Sequence, residues 1–220
     1  MNPETHRFFN RPAIQELLQH CRRSRYRAGS LLLHRDSPGD TLYLVLKGKL
    51  SVLEDDENGR ELVLAYLNPG DFMGEMGLFA DKPKRSAWIK AKTHCELAEI
   101  SYERFSRLQQ QSPHLLEPVI EQMTRRLRDT SRRFRNLAFE DVRNRVEATL
   151  HDLAREPDAM THPDGMQLKI TRIELGRLVG CSREMVGRVL HEMESEELIS
   201  TRGHTIVVHG ARPMAEAAHA

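Results

Sequence analysis

Residues 176–188, near the carboxyl end of the chain, combine a turn signal with side chains that can recognise base pairs. Ser182 is a favourable N-cap for a helix that starts directly after it. The three-and-four spacing of a helix then places on one face Arg183, Glu184, Gly187 and Arg188. Arginine can donate two hydrogen bonds to guanine, and glutamate can accept one from cytosine. The segment therefore predicts a helix that reads the major groove of DNA; an ordinary surface helix with solvated charges is the alternative.

The residues around this helix predict the rest of a winged helix-turn-helix. Thr171 can cap a preceding helix, of which Arg172 would be the first residue. The small Gly176 allows close approach, and Gly180 accepts the positive φ of a tight turn. Two apolar runs flanking residues 202–204 predict a hairpin, the usual wing beside a recognition helix.

A glycine-rich turn in the amino-terminal half predicts an anion site. Gly74 and Gly77 would let backbone amides approach a ligand, and a short helical turn there would aim N–H groups at an anion. Arg85 can neutralise a phosphate, Ser86 can donate a hydrogen bond, and Glu75 can accept one from a sugar hydroxyl. A solvated surface role for Arg85 is the alternative. No metal-spaced pair and no nucleophile beside a base occurs here, so we expect neither a catalytic nor a metal site.

Short apolar runs separated by turn formers predict strands at residues 30–33, 41–46, 49–53, 61–66, 87–91 and 95–100. Asn58 followed by Gly59 is a hairpin signal between two of them. Many short strands at this spacing predict a closed antiparallel barrel or a jelly roll.

A long helix is predicted to begin near Pro113, after the strands. Its apolar stripe follows a heptad spacing through Leu116, Ile120, Met123, Leu127, Thr130, Phe134 and Leu137. The other faces are heavily charged, so the stripe is narrow and matches a second copy of itself. We expect a parallel homodimer, which would present two recognition helices to two half-sites one DNA turn apart. Packing of the stripe against the chain's own barrel is the alternative.

Composition bounds the class of protein. A chain of 220 residues is long enough for two domains, and it contains no bilayer-spanning apolar stretch and no signal-peptide core. Three isolated cysteines predict reduced thiols in the cytoplasm. The net charge is only +1, and from residue 139 onward ten Lys and Arg stand against fourteen Asp and Glu. DNA contact would therefore need a locally basic face.

Three runs, at residues 136–139, 157–167 and 179–184, carry a dense resemblance to a known family. From about His20 to Gly210 the chain resembles the cyclic AMP receptor protein (catabolite activator) family of bacterial transcription regulators. The resemblance implies an α+β fold, with an antiparallel β jelly-roll cyclic-nucleotide-binding domain at residues 1–111. A long dimerisation helix and hinge would follow at residues 112–138, then a winged helix-turn-helix DNA-binding domain at 139–210 and a disordered tail at 211–220.

The resemblance assigns the glycine-rich turn to the family's phosphate-binding cassette, with cyclic AMP as allosteric effector and no metal. The cassette residues that would form the ligand site are Gly74, Glu75, Met76, Arg85 and Ser86. The resemblance further implies that Thr130 reaches the adenine amino group and that Ser131 does so from the partner subunit.

The same resemblance implies a cytoplasmic, non-enzymatic homodimer that binds double-stranded DNA at palindromic TGTGA-type promoter sites and contacts RNA polymerase. Polymerase would be met by Thr161, His162 and Gly165. DNA would be met by Arg172, Ser182, Arg183, Glu184, Gly187 and Arg188.

Two other functions remain open. One is a regulator of the same fold that responds to another signal, such as cyclic di-GMP, a haem-bound gas or iron–sulfur redox state. The intact pair Arg85 and Ser86 argues against cyclic di-GMP, and the scarcity of amino-terminal cysteines argues against an iron–sulfur sensor. The other is a cyclic-nucleotide-binding regulatory subunit of an enzyme, which the predicted DNA-binding segment argues against.

Overall fold

The computed structural model describes residues 3–57, 59 and 61–212. The chain divides into two compact units, one up to Asp129 and one from Thr130 onward. Asn58 of the predicted hairpin turn and residues 213–220 of the predicted tail lie outside the described residues. Within the described part, no helix has the length and apolar character needed to cross a membrane.

The first unit contains eight strands in its described residues. They are β1 (Arg22–Tyr26), β2 (Leu31–Leu33), β3 (Thr41–Lys47), β4 (Leu50–Asp55), β5 (Glu61–Leu67), β6 (Phe72–Met73), β7 (Trp88–Ala91) and β8 (Cys95–Ser101). They form two antiparallel sheets, ordered β1-β8-β3-β6 and β2-β7-β4-β5. This eight-stranded double sheet is the jelly roll predicted from the sequence.

All six predicted strands are present, and two further strands escaped prediction. β1 reads Arg-Arg-Ser-Arg-Tyr and lies at a sheet edge, where Arg23 and Arg25 pair with Glu96 of β8. Its charged sequence lacks the apolar run on which strand prediction depends, because cross-strand charge pairs replace apolar packing there. β6 has only two residues, too few to show a period.

Four helices of the described residues belong wholly or partly to the first unit: α1 (Pro3–Phe9), α2 (Pro12–Gln19), α3 (Tyr102–Gln111) and α4 (Glu117–Phe139). A 3₁₀ turn, Pro113–Leu116, precedes α4, so the long helix starts four residues later than Pro113 suggested. The helices cover one sheet, and this apolar layer includes Ile14, Leu17, Phe72, Phe105 and Val119. Between the two sheets lies a second core that includes Val45, Leu50, Leu67, Met73 and Leu97.

The second unit continues α4 to Phe139 and then forms one small α/β core. Its elements are α5 (Val142–Ala154), β9 (Met160–His162), β10 (Gly165–Lys169), α6 (Arg172–Val179), α7 (Arg183–Ser195), β11 (Ile199–Arg202) and β12 (Thr205–His209). The strands form a sheet in the order β11-β12-β10-β9. The predicted wing hairpin is confirmed as β11 and β12, with Arg202 opposite Thr205.

Residues 160–167 form a second hairpin in this sheet, for which the sequence analysis gave no prediction. Met160 to His162 pair with Gly165 to Gln167, and only Pro163 and Asp164 form the turn. Pro163 is the first residue of this two-residue turn, and Gly165 begins β10 directly after it. A β-carbon on Gly165 would overlap the carbonyl of Val208, so this position requires glycine.

Candidate functional site

A pocket in the first unit gathers the five cassette residues predicted from the sequence. Its lining includes Gly74, Glu75, Met76, Arg85 and Ser86. The pocket has about 490 Å³ of empty space, part of which is open to solvent. The predicted short helical turn is present as the 3₁₀ turn Glu75–Gly77, which follows Gly74 at φ 83°. Its first N–H groups have no partner within the turn itself.

Arg85 is a buried arginine, with only 6% of its surface exposed, so the solvated interpretation is wrong. Its Nη1 donates to the carbonyl oxygen of Thr41 and to Oη of Tyr102, each at 3.1 Å, and its Nη2 donates to the same Thr41 oxygen at 3.1 Å. A β-carbon on Gly39 would overlap the guanidinium, and one on Gly74 would overlap Nη1. The two glycines thus leave space for the guanidinium, and the Thr41 carbonyl accepts hydrogen bonds from it. Both features matter because a buried charge is costly unless its donors are satisfied.

Tyr102 contacts this site and was missed by the sequence analysis. Its hydroxyl donates to the carbonyl oxygen of Gly74 and accepts from Arg85. Burial raises the pKa of the Tyr102 phenol, so the hydroxyl keeps the proton it donates. Tyr102 opens α3, distant in sequence from both partners, and no local pattern marks it.

Glu75 is also buried, at 5% exposure, and pairs with Arg126 of α4. Arg126 lines the pocket as well, and its Nη2 donates to the carbonyl oxygen of Phe72 at 2.8 Å. One turn earlier on α4, the amide of Gln122 accepts from Phe72 N at 2.7 Å and donates to Phe72 O at 2.8 Å. Two polar side chains of α4 therefore hold the strand that leads into the glycine-rich turn. The heptad analysis missed both, because it followed only the apolar stripe.

Ser86, Thr130 and Ser131 are exposed. Ser86 lies at the pocket, where its Oγ is 3.4 Å from Sδ of Met76. Thr130 and Ser131 lie on α4 and are not among the residues that line the pocket within one chain.

The apolar stripe of α4 is exposed over most of its length. The exposed fractions are 55% for Ile120, 40% for Met123, 69% for Leu127, 72% for Phe134 and 59% for Leu137. Leu116, the first position of the stripe, differs because it packs against the first unit's helical core. Large apolar side chains on one helix face that remain in contact with water indicate a surface that another molecule covers.

The predicted helix-turn-helix is present as α6 and α7. Thr171 Oγ1 accepts from Glu174 N at 3.1 Å, and Ser182 Oγ accepts from Met185 N at 3.2 Å, so both predicted caps form. Gly180 adopts φ 74° at the end of α6. A β-carbon on Gly176 would lie 2.7 Å from the carbonyl oxygen of Cys181, so the small residue makes room for the turn.

The two faces of α7 differ as the spacing predicted. Val186, Val189, Leu190 and Met193 are buried in the core of the second unit. The opposite face exposes Arg183, Glu184 and Arg188, and Gly187 is half-buried. A β-carbon on Gly187 would lie 3.9 Å from Nη1 of Arg172, so α6 contributes a further positive charge to the same surface. Two arginines and one glutamate on a protruding helix face are able to contact base edges.

The three residues assigned to polymerase contact lie in the hairpin of β9 and β10. Thr161 is exposed, and His162 is half-buried. His162 Nδ1 lies 3.3 Å from Asp164 N, across the turn that ends at Gly165. Among the described residues no group of three or more His, Cys, Asp or Glu could hold a metal ion, and Cys21, Cys95 and Cys181 are free thiols.

Two family models match the chain. The model for the cyclic nucleotide-binding domain matches residues 23–112, and the model for the Crp-like helix-turn-helix domain matches residues 144–213. The first match lies within the unit that contains the pocket, and the second lies within the unit that contains the helix pair.

Whole-length relatives cover both units. The chain is 53% identical over 201 residues to CRP of Salmonella typhimurium, a cAMP-activated global transcriptional regulator, an alignment that covers 91% of this chain and 96% of the relative. It is 51% identical over 202 residues to Vfr of Pseudomonas aeruginosa, another cAMP-activated global transcriptional regulator, with 90% and 94% coverage. Among solved structures, the c-di-GMP responsive global regulator CLP of Xanthomonas campestris superposes with a TM-score of 0.82 at 45% identity, covering 90% of this chain and 98% of CLP.

Proposed function

Because this chain belongs to the CRP/FNR family of transcription regulators, we propose that it is a cyclic-AMP-dependent, homodimeric activator that binds palindromic TGTGA-type promoter sites. The observation that carries the proposal is the pocket in which a buried arginine and a buried glutamate lie beside the glycine-rich turn. Nothing in this arrangement requires catalysis or a metal.

The pocket chemistry suits a cyclic nucleotide. Arg85 supplies one positive charge for one phosphate, and Ser86 supplies a hydroxyl donor at the mouth of the pocket. The first N–H groups of the turn Glu75–Gly77 favour an anion at its start. Glu75, which pairs with Arg126, has a carboxylate that can accept a hydrogen bond from a ribose hydroxyl.

The exposed stripe of α4 supports a parallel homodimer. A second copy would cover these side chains by the same heptad contacts, and Thr130 would lie at the seam between the two helices. A purine that contacts Thr130 of one protomer and Ser131 of its partner would favour one arrangement of the two helices. The ligand changes the balance of states only by its difference in affinity for them.

The DNA contacts in this proposal come from Arg172, Ser182, Arg183, Glu184, Gly187 and Arg188. The local surface of α7 supplies positive charge although the carboxyl-terminal part of the chain is acidic overall. Thr161, His162 and Gly165 would contact RNA polymerase from the β9–β10 hairpin, which precedes the helix pair in the chain.

A titration of DNA binding tests the proposal. A labelled palindromic TGTGA-type duplex is mixed with the full chain at fixed salt, because salt alone changes such affinities, and cyclic AMP, cyclic GMP or cyclic di-GMP is added in turn. We expect cyclic AMP to raise DNA affinity most strongly. If no nucleotide changed DNA binding, or if only cyclic di-GMP did, the proposed effector would be wrong.

Sedimentation at micromolar concentration tests the dimer. The double variant Met123→Lys with Leu127→Lys places two charges on the stripe and should dissociate the protein, because like charges at a seam repel. Thr124→Lys, exposed on the same helix but off the stripe, should remain dimeric. A monomeric wild-type protein would contradict the coiled-coil arrangement.

A further inference from the structure

We propose that Tyr102 is a positioning residue of the ligand pocket: it fixes the Arg85 guanidinium so that one particular edge of it, Nε and Nη2, is presented to the ligand's phosphate. This assignment rests on the proposed function, since it concerns how the same pocket binds cyclic AMP.

The hydrogen bonds of Arg85 show which edge remains available. A guanidinium has five N–H donors. Both donors of Nη1 are used, by Thr41 O and by Tyr102 Oη, and one donor of Nη2 is used, again by Thr41 O. The two remaining donors, Nε–H and the other N–H of Nη2, have no hydrogen-bond partner among the described residues and point the same way. This parallel pair is the geometry that binds two phosphate oxygens at once.

Tyr102 therefore does not compete with a phosphate for Arg85. Its hydroxyl accepts from Nη1 on the side away from the Nε–Nη2 edge. Without this bond, the described hydrogen bonds would leave only the Thr41 carbonyl to hold the guanidinium in place. Orientation fixed before binding lowers the entropy that the ligand must remove. We therefore expect loss of the hydroxyl to weaken ligand binding rather than strengthen it.

Tyr102 also sets the glycine-rich turn relative to Arg85. Its hydroxyl donates to the carbonyl of Gly74. A β-carbon on Gly77 would lie 2.8 Å from the hydroxyl oxygen of Tyr102. Its backbone N–H donates to Asp40 O at 2.7 Å, next to Thr41 in the chain. One phenol thus bonds to Gly74 at the start of the anion-binding turn and to the arginine, and it lies beside Gly77 at the end of the turn, which fixes the distance between the two parts of the phosphate site.

The test is calorimetric titration of cyclic AMP into the full chain carrying Tyr102→Phe. We expect affinity to fall about tenfold, because the ligand must then order a guanidinium that the phenol no longer holds in place. Tyr43→Phe is the matched control. Cζ of Arg85 lies 5.7 Å from the ring centroid of Tyr43 and 5.9 Å from that of Tyr102, so both rings are similarly near. The described hydrogen bonds of Arg85, however, include Tyr102 and not Tyr43. Its affinity should stay within about twofold of wild type.

A spectroscopic readout separates positioning from general loosening. The ³¹P resonance of bound cyclic AMP reports the surroundings of the phosphate, and it should move in Tyr102→Phe but not in Tyr43→Phe. Equal affinity and an unmoved resonance in Tyr102→Phe would overturn the assignment, as would tighter binding. A wild-type protein that bound no cyclic AMP would instead overturn the proposed function, and with it this assignment.

A second variant tests the same contact without removing the tyrosine. Gly77→Ala places a methyl group against the Tyr102 hydroxyl and should also weaken cyclic AMP binding. In the double variant with Tyr102→Phe the two losses should combine to less than their product, because the nearest neighbour of the added methyl group is the hydroxyl that Tyr102→Phe removes. Losses that multiplied independently would overturn the assignment.

Discussion

The two units handle charge in opposite ways. In the first unit Arg85 and Glu75 are almost fully buried, and each is already hydrogen-bonded or paired before any ligand arrives. In the second unit Arg183, Glu184 and Arg188 extend from α7 into solvent, and the described hydrogen bonds and ion pairs involve none of them. In the second unit, hydrogen-bonded caps and the turn at Gly180 define the backbone of the helix pair instead.

The difference follows from the size of the two partners. A single small anion can be enclosed, so the protein places its charges in a fixed, water-poor site where each interaction is strong. A DNA duplex cannot be enclosed, and its base edges differ from site to site. Exposed side chains on a fixed helix can then adjust, while the helix itself sets the register.

The largest effect that this comparison predicts is at Arg85. Arg85→Leu should lower cyclic AMP affinity at least about 100-fold, because the phosphate loses two charge-assisted hydrogen bonds. It should also lower the melting temperature, since the Thr41 carbonyl loses its donors in a buried place. Arg183→Leu, the exposed counterpart, should change neither quantity, as calorimetry and thermal melts would show. Near wild-type cyclic AMP affinity in Arg85→Leu would remove this residue from the site.

A smaller effect is expected at the exposed face. Arg183→Ala should cost about 1–3 kcal/mol on the cognate duplex and relax the preference at one base pair. Competition binding with single-base variants of the duplex measures this directly. If the variant lost the same affinity on every sequence, Arg183 would contact a phosphate and not a base.

The buried polar side chain of Gln122 offers a test on stability alone. Gln122→Leu leaves the Phe72 N–H without its acceptor, so we expect a loss of about 1–3 kcal/mol in the free energy of unfolding. Gln110, exposed on α3, is the control, and Gln110→Leu should stay within about 0.5 kcal/mol of wild type. Equal unfolding midpoints for the two variants in urea would mean that the bridge between α4 and β6 contributes nothing.

The smallest effect is at Gly187, and its sign is opposite. The nearest atom to an added β-carbon is 3.9 Å away, which is ordinary contact, and the helix gains when glycine becomes alanine. Gly187→Ala should therefore stabilise the protein by up to about 1 kcal/mol. Urea denaturation measures this stability. A midpoint at lower urea than wild type would show that the surface around Gly187 has no space for a methyl group, as at the glycines of the pocket.

Local sequence was sufficient where the physical cause is local. Thr171, Ser182 and Gly180 act on backbone groups a few residues away, and each adopts the predicted cap or turn. The buried and exposed faces of α7 follow from helical periodicity alone. The same holds for the strands with apolar runs, whereas the charged β1 and the two-residue β6 have no comparable signal.

Tertiary structure alone decided which groups complete the pocket. Tyr102, Gln122 and Arg126 contact residues 17 to 54 positions away in the chain, and no spacing rule connects them. The burial of Arg85 was equally hidden, because an arginine looks the same in sequence whether water or a carbonyl accepts its hydrogen bonds. The types of amino acid in the sequence determined that this chain could bind an anion and present a basic helix face. The packing of distant segments determined how the anion site is oriented, because only the folded chain brings their polar atoms within hydrogen-bond distance.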